Sequence, residues 1–290
     1  MALTKPSKIG FSIIGVVVLA LLAGVLGAKM AGGSESGGGG GTDVSEATWV
    51  DKIKAAGELK VGCADSPPTT VVANDGTCSG PDLIPMQDLA DQLGVKMTTV
   101  ATSWQNIVAG LQANHYDVAA NLDQTVERGL SLQFTNPSWS YPGVFLLPKS
   151  AGLTTTDQIV NSGLPVATAQ GTALDAALQK AGIPELQVDT YQNATSAVQA
   201  GRASAVFTDL GTAVDIANKQ PDFGIVVPDP AIFVHYVAYG VPAAMDPRSL
   251  QIINIAIDNA VASGSIKRAF SDAGYKDVDE LGDMQIKSAG

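Results

Sequence analysis

From Ser45 onward, short apolar runs rich in β-branched residues alternate with stretches whose apolar positions recur every three to four residues. The short runs predict strands at Glu58 to Cys63, Val95 to Ala101, Asp117 to Ala120, Pro165 to Thr168, Leu186 to Tyr191, Ser204 to Thr208 and Phe223 to Val227. Between them DLIPMQDLADQLG, SWQNIVAGLQANH, TALDAALQKAG, NATSAVQAGRA and DLGTAVDIANKQ carry the helical period, several closing on the Gly or Asn that ends a helix. This alternation predicts βαβ units, hence an α/β fold with largely parallel sheets. The pattern occurs twice, from about Leu59 to Asp123 and from about Leu164 to Asp209. Each block ends in helix, polar turn, short strand and turn: IVAGLQANHYDVAANLDQT and ATSAVQAGRASAVFTDLGT. Two such lobes predict a ligand cleft between them, at the carboxyl ends of their strands.

The N-terminal pattern is different. Residues 1–8 carry Lys5 and Lys8, and Ile9 to Ala28 follows as 20 residues without a charge. A helix of that length spans about 30 Å, so the run is expected to be a transmembrane anchor, with the cytoplasm on the Lys5 side. The alternative is a cleaved signal peptide; the length of the run and Leu26 at the −3 position of the Ala28/Lys29 junction favour the anchor. Residues 29–45 are Gly-rich and lack anything that could build a core, so they read as a flexible tether. The expected location is the cell membrane, single-pass, with the folded part extracellular or periplasmic, or secreted if the segment is cleaved.

Charge and rare residues narrow the function. The 290 residues carry 17 Lys+Arg against 28 Asp+Glu, a net charge of −11 with no basic block, which argues against nucleic acid as a partner. His115, His235, Cys63 and Cys78 lie far apart in sequence, without metal-ligand or nucleophile-pair spacing, so neither a metal nor a cofactor is expected. On an oxidising exported side, Cys63 and Cys78 are expected to form a disulfide around PPTTVVANDGT, with free buried thiols as the alternative.

The order LKVGCADSPP, GTCSGPDLIPMQDLADQLG and SWQNIVAGLQANHYDVAANLDQTVERGLSLQFTNPSWSY resembles the extracellular solute-binding proteins of family 3. The second half agrees through PVATAQGTALDAAL, GRASAVFTD, VAYGV and NIAIDNAVASGSIKRAFSDAG, so the resemblance covers about Trp49 to Lys287. It implies a two-lobed periplasmic-binding-protein type II fold: lobe 1 at about 46–143 plus 240–290, lobe 2 at about 144–239, and hinge strands near Val144 to Leu147 and Val237 to Val241. It also implies a non-enzymatic receptor that captures an amino acid or related small amine or carboxylate and hands it to an ABC transporter permease. A cyclohexadienyl dehydratase-like enzyme on the same scaffold and a sensor without transport are the alternatives.

The resemblance assigns roles within the cleft. Arg128 of TVER, on a helix capped by Thr125, is expected to grip a ligand carboxylate with two parallel charge-assisted hydrogen bonds. Asp209 of VFTD is expected to take the ligand ammonium, or to serve only as a helix cap. Gly171, Thr172 and Ala173 open a helix whose free N–H groups would add donors to the carboxylate, and an ordinary cap is again the alternative. Trp104 is expected against the ligand side chain or inside the lobe, and Asn121 completes the expected ligand-binding set. Asp123 departs from the family, which has Ser or Thr there: an ionised Asp cannot donate to a carboxylate and instead favours a second cationic group on the ligand, with neutralisation by Arg128 itself as the alternative. The aromatic lid usual near the first strand is replaced by Ser66, Pro67, Pro68 and Thr69, leaving Trp139 or Tyr141 as substitutes, or as hinge packing.

Overall fold

A computed structural model describes residues 47–287 of the chain. The expected anchor at 9–28 and the tether at 29–45 lie outside the described residues. No helix among the described residues is long and apolar enough to cross a membrane.

Twelve strands occur among the described residues. They are β1 (Glu58–Cys63), β2 (Val71–Val72), β3 (Cys78–Ser79), β4 (Lys96–Ala101), β5 (Val118–Asp123), β6 (Leu132–Phe134), β7 (Trp139–Pro148), β8 (Val166–Ala169), β9 (Glu185–Val188), β10 (Val206–Asp209), β11 (Phe223–Val226) and β12 (Val234–Pro242). In the first lobe β1 pairs in parallel with β4 and β5, and β12 runs antiparallel to β5 and β6. In the second lobe β8 pairs in parallel with β9 and β10, while β7 runs antiparallel to β10 and β11. The sheets are therefore mixed rather than largely parallel, because the two long strands that join the lobes enter each sheet against its direction.

Those long strands make the hinge. β7 pairs with β12 over Trp139 to Pro142 against Val237 to Val234, and its remaining residues then join the second-lobe sheet. Pro142 and Gly143 lie inside one strand, at the point where it changes partners. A proline costs little where the ladder is interrupted anyway.

Two separate apolar cores support the lobes. Leu59, Val61, Met86, Leu89, Val118, Tyr239, Val241, Ile253 and Ile257 fill the first. The second is built around Phe145 and Phe207, whose rings lie 5.0 Å apart, with Leu146, Ile159, Val166, Leu178 and Val214. The helix Leu210–Lys219 shows how the pattern builds this core: Leu210, Ala213, Val214 and Ala217 fall on one face and are buried. Burial of each large side chain contributes about 2 kcal/mol, so Val214→Asp would unseat the helix.

The chain's last described stretch packs against the core built around Phe145 and Phe207. Leu281 belongs to the second-lobe core, and the Ile286 amide donates to the Ile225 carbonyl at 2.8 Å. Gly224 makes room, since a Cβ there would stand 2.6 Å from Ile286 Cγ1.

Cys63, at the end of β1, and Cys78, in β3, form a disulfide with 6.6 Å between Cα atoms. Closing a loop of 15 residues stabilises the fold by about 3 kcal/mol in the chain-entropy account. The bond pins the segment carrying Ser66 to Thr70 onto the first-lobe sheet.

Candidate functional site

Where β5 and β10 end and β7 begins, the two lobes meet around a small cavity lined by Ser66, Trp104, Asn121, Asp123, Trp139, Tyr141, Thr172, Leu174, Tyr191 and Asp209. The lobes are closed on one another. Ser66 and Thr212 share a hydroxyl hydrogen bond of 3.4 Å across the gap, and Arg128 Nη2 donates to the Gly171 carbonyl at 3.3 Å. Gly171 has φ +80°, and a Cβ there would stand 2.7 Å from Gln105 Cα, so the approach of the two backbones requires glycine.

The first-lobe wall centres on Asp123, the last residue of β5 and only 6% exposed. Its Oδ1 accepts from the Tyr141 hydroxyl at 2.8 Å, and its Oδ2 lies 3.8 Å from Arg128 Nη1. Arg128 Nη1 also donates to the Asp123 carbonyl at 3.2 Å. Burial raises the Asp123 carboxyl above the ordinary range, against the opposing pull of Arg128 and Tyr141. Asn121, two residues earlier, holds φ +56° and donates from Nδ2 to Thr69 Oγ1 at 3.3 Å. Asn tolerates this left-handed backbone better than other non-glycine residues. Trp104 Nε1 donates to the Asp65 carbonyl at 3.3 Å, fixing its ring at the cavity edge.

The second-lobe wall centres on Asp209, which ends β10 and caps the helix Leu210–Lys219. Its Oδ1 accepts from the Thr212 amide at 2.7 Å and its Oδ2 from the Thr208 hydroxyl at 3.3 Å. It is 5% exposed, and burial raises its carboxyl too, opposed by the hydrogen bonds from Thr212 and Thr208. Asp209 is both cap and cavity wall. Thr172 caps the helix Ala173–Ala181, accepting from the Asp175 amide at 3.1 Å and donating to the Ala169 carbonyl at 2.9 Å. The same helix start carries the buried carboxylate of Asp175, whose Oδ2 accepts from the Gly171 amide at 3.0 Å.

Trp104, Asn121, Asp123, Thr172 and Asp209 from the expected set thus meet at one cavity, whereas Arg128 and Ala173 do not line it. The Arg128 side chain is only 11% exposed, with its fork turned to Asp123 and Gly171. Ala173 faces a separate groove with Gln124, Thr125 and His235. Trp139 and Tyr141 serve as cavity walls and hinge packing together: their rings lie 5.1 Å apart, and Trp139 also packs on Phe270 at 4.7 Å.

Sequence reasoning passed over Tyr191, which it put at the end of a strand. The structure makes it the first residue of the helix Tyr191–Gln199, behind Thr190, whose hydroxyl accepts from the Asn193 amide at 3.1 Å. A capping Thr before a helical run was the available signal. Ser66 and Leu174 carried no signal of their own.

Beneath the first-lobe wall lies Asp82, 3% exposed, which accepts from Thr70 Oγ1 at 2.9 Å and Trp139 Nε1 at 3.0 Å. Burial raises its carboxyl to about 7 despite these donors. Among the described residues no group of three or more His, Cys, Asp or Glu is placed to hold a metal ion.

The chain is similar to known proteins in sequence and fold. A probable amino-acid ABC transporter periplasmic-binding protein of Sinorhizobium fredii is 26% identical over 197 residues, 64% of this chain and 65% of that protein. The L-cystine-binding protein of Escherichia coli is 28% identical over 181 residues, 60% of this chain and 66% of its own. The chain thus spans just under two-thirds of the length of these relatives. A variant of ArgBP from T. maritima superposes with a TM-score of 0.70 at 26% identity, covering 78% of this chain and 99% of that one. A weaker match is the cyclohexadienyl dehydratase of Pseudomonas aeruginosa, 24% identical over 200 residues, 67% of this chain and 74% of that enzyme. The profile of bacterial extracellular solute-binding proteins, family 3, matches residues 59–272, and the chain belongs to that family.

Proposed function

We propose that this protein is an extracellular or periplasmic solute receptor that closes two lobes around an amino acid or related small amine and presents it to an ABC transporter permease. One observation carries the reading: two buried carboxylates, Asp123 and Asp209, face one aromatic-walled cavity where the lobes meet. Relatives named for amino-acid transport, cystine and arginine support the ligand class and the transporter partner. Lobe 1 runs over about 46–143 plus 240–290 and lobe 2 over about 144–239, with Leu281 and Ile286 packed against the lobe 2 core. Asp209 holds the ligand ammonium, Trp104 and Tyr191 flank it, and Asn121, Asp123 and Thr172 complete the wall. Motion about β7 and β12 opens and closes the site.

The test is calorimetry and thermal shift of the purified full-length chain against amino acids and amines. Saturable binding of one solute, lost in Asp209→Ala, supports the reading; a flat response to the whole panel overturns it. An enzymatic alternative rests on the dehydratase relative. Mass spectrometry of the solute after incubation separates the two, since a receptor returns its ligand unchanged.

A further inference from the structure

Resting on that reading of the cleft, we propose that Asp82 is a positioning residue for solute capture: from outside the cavity its carboxylate fixes the Trp139 ring as a cavity wall, so that solute affinity depends on Asp82 through Trp139.

Asp82 sits in the turn Pro81–Leu83, is 3% exposed and does not line the cavity. Among the described residues it has no ion-pair partner. Burying a carboxylate in that way is costly and favours its neutral form; with the charge of Asp209 adding to the rise, the carboxyl stands at about 7. The donors it collects offset part of that cost, and each oxygen takes one. Oδ1 accepts from Trp139 Nε1 at 3.0 Å and Oδ2 from Thr70 Oγ1 at 2.9 Å. The Asp82 carbonyl accepts from the Tyr239 hydroxyl at 2.6 Å, and its amide donates to the Thr69 carbonyl at 3.2 Å. One residue thereby joins both hinge strands, through Trp139 of β7 and Tyr239 of β12, to the loop of Thr69 and Thr70.

What this does for the cavity follows from where Trp139 stands. Its ring borders the cavity and also a second hollow that it shares with Ile266, Phe270 and Tyr275. Tyr141, Phe270 and Tyr275 pack on it with ring centroids at 5.1, 4.7 and 5.8 Å. Such packing fills space, but the terminal torsion of a tryptophan has a broad profile. The indole has one polar atom, a donor, and its hydrogen bond to a carboxylate is directional and charge-assisted. The bond to Asp82 therefore selects the orientation in which the ring lines the cavity.

The other end of the carboxylate is anchored on a braced loop. The Ser66 amide donates to the Thr70 carbonyl at 2.8 Å and the Thr70 amide to the Ser66 carbonyl at 3.0 Å, inside the loop that the Cys63–Cys78 disulfide closes. Ser66 lines the cavity as well, so Asp82 holds the Trp139 wall in register with the Ser66 wall.

The experiment is a double-mutant cycle by calorimetry on the full-length chain, read with the tightest binder among the standard amino acids and cystine. Asp82→Ala removes the acceptor and should weaken that amino acid by about 10-fold or more. In a Trp139→Phe background, where no N–H needs an acceptor, the same change should cost less than about 3-fold, because Asp82 acts through the indole. Asp82→Asn keeps a carbonyl for Trp139 and an amide for Thr70, and should bind within about 3-fold of the parent chain. A second measurement needs only Asp82→Asn and no solute. At about pH 9 the Trp139 indole proton, assigned by its loss in Trp139→Phe, should move upfield in the NMR spectrum when a neutral acceptor replaces the charged one. A small loss in the parent chain, equal losses with and without the indole, or an indole signal unmoved by Asp82→Asn overturns the positioning role and leaves solute capture intact. Binding of none of these amino acids overturns both.

Discussion

The two carboxylates of the cleft are alike in position and opposite in compensation. Asp123 and Asp209 both end a central strand, both are less than a tenth exposed, and both are pushed by burial toward the neutral form. Asp123 is matched by a guanidinium and a phenol, so its charge is balanced inside the protein. Among the described residues Asp209 is held by the dipoles of Thr208 and Thr212, with no ion-pair partner. A buried ion pair belongs to the architecture, whereas a buried lone charge is a demand on whatever enters the cavity.

The sharpest way to break this contrast is to take away the compensation. Arg128→Met leaves Asp123 buried and unpaired, and removing one member of a buried pair costs about 3 to 5 kcal/mol. Chemical denaturation of the empty protein should show a loss of that order, and a loss under about 1 kcal/mol would mean that Arg128 is a surface residue in solution.

The walls also differ in how they are held, since the Ser66 segment of the first lobe is tied by the disulfide. Reduction, or Cys63→Ser with Cys78→Ser, should lower stability by about 3 kcal/mol in the same denaturant assay. Solute affinity should fall along with it, because Ser66, Thr69 and Asn121 lose their common anchor.

Asp209→Asn sharpens the comparison from the other side. With no cation to orphan, the substitution should leave the empty protein unchanged or up to about 1 kcal/mol more stable, while the solute-induced thermal shift disappears. Destabilisation comparable to that of Arg128→Met would make Asp209 a structural charge like Asp123.

The smallest expected effect is on pH dependence. The folded-state value of Asp82 is raised to about 7 from an unfolded value near 3.8, so the folded protein binds the extra proton between those limits. Its contribution to stability is complete below pH 4 and is lost as pH rises through 7. Melting temperature should therefore climb on acidification from pH 8 to pH 5, and Asp82→Asn should flatten part of that climb. Asp123 and Asp209, shifted in the same direction, supply the remainder.

What could be read along the chain was local. Period and capping residues marked the helix starts at Thr172 and Asp209, because a side chain that caps does so within three residues. The strands β1, β4 and β10 followed from short apolar runs, and the order of motifs carried the two-lobed fold. Tyr191, by contrast, reaches the cavity only because helix Tyr191–Gln199 packs beside β8 and β10, and nothing in LQVDTY says where its ring points.

By itself the sequence determined the α/β alternation, the duplicated lobes, the acidic balance and the presence of Arg128, Asp123 and Asp209. Only the tertiary structure decided which acid receives the cation. Arg128 lies five residues from Asp123 and 81 before Asp209 in the chain. In the folded protein its fork turns to Asp123 and to the facing lobe's Gly171. Electrostatic pairing depends on distance and burial in space, and both are set by how the lobes close rather than by residue order.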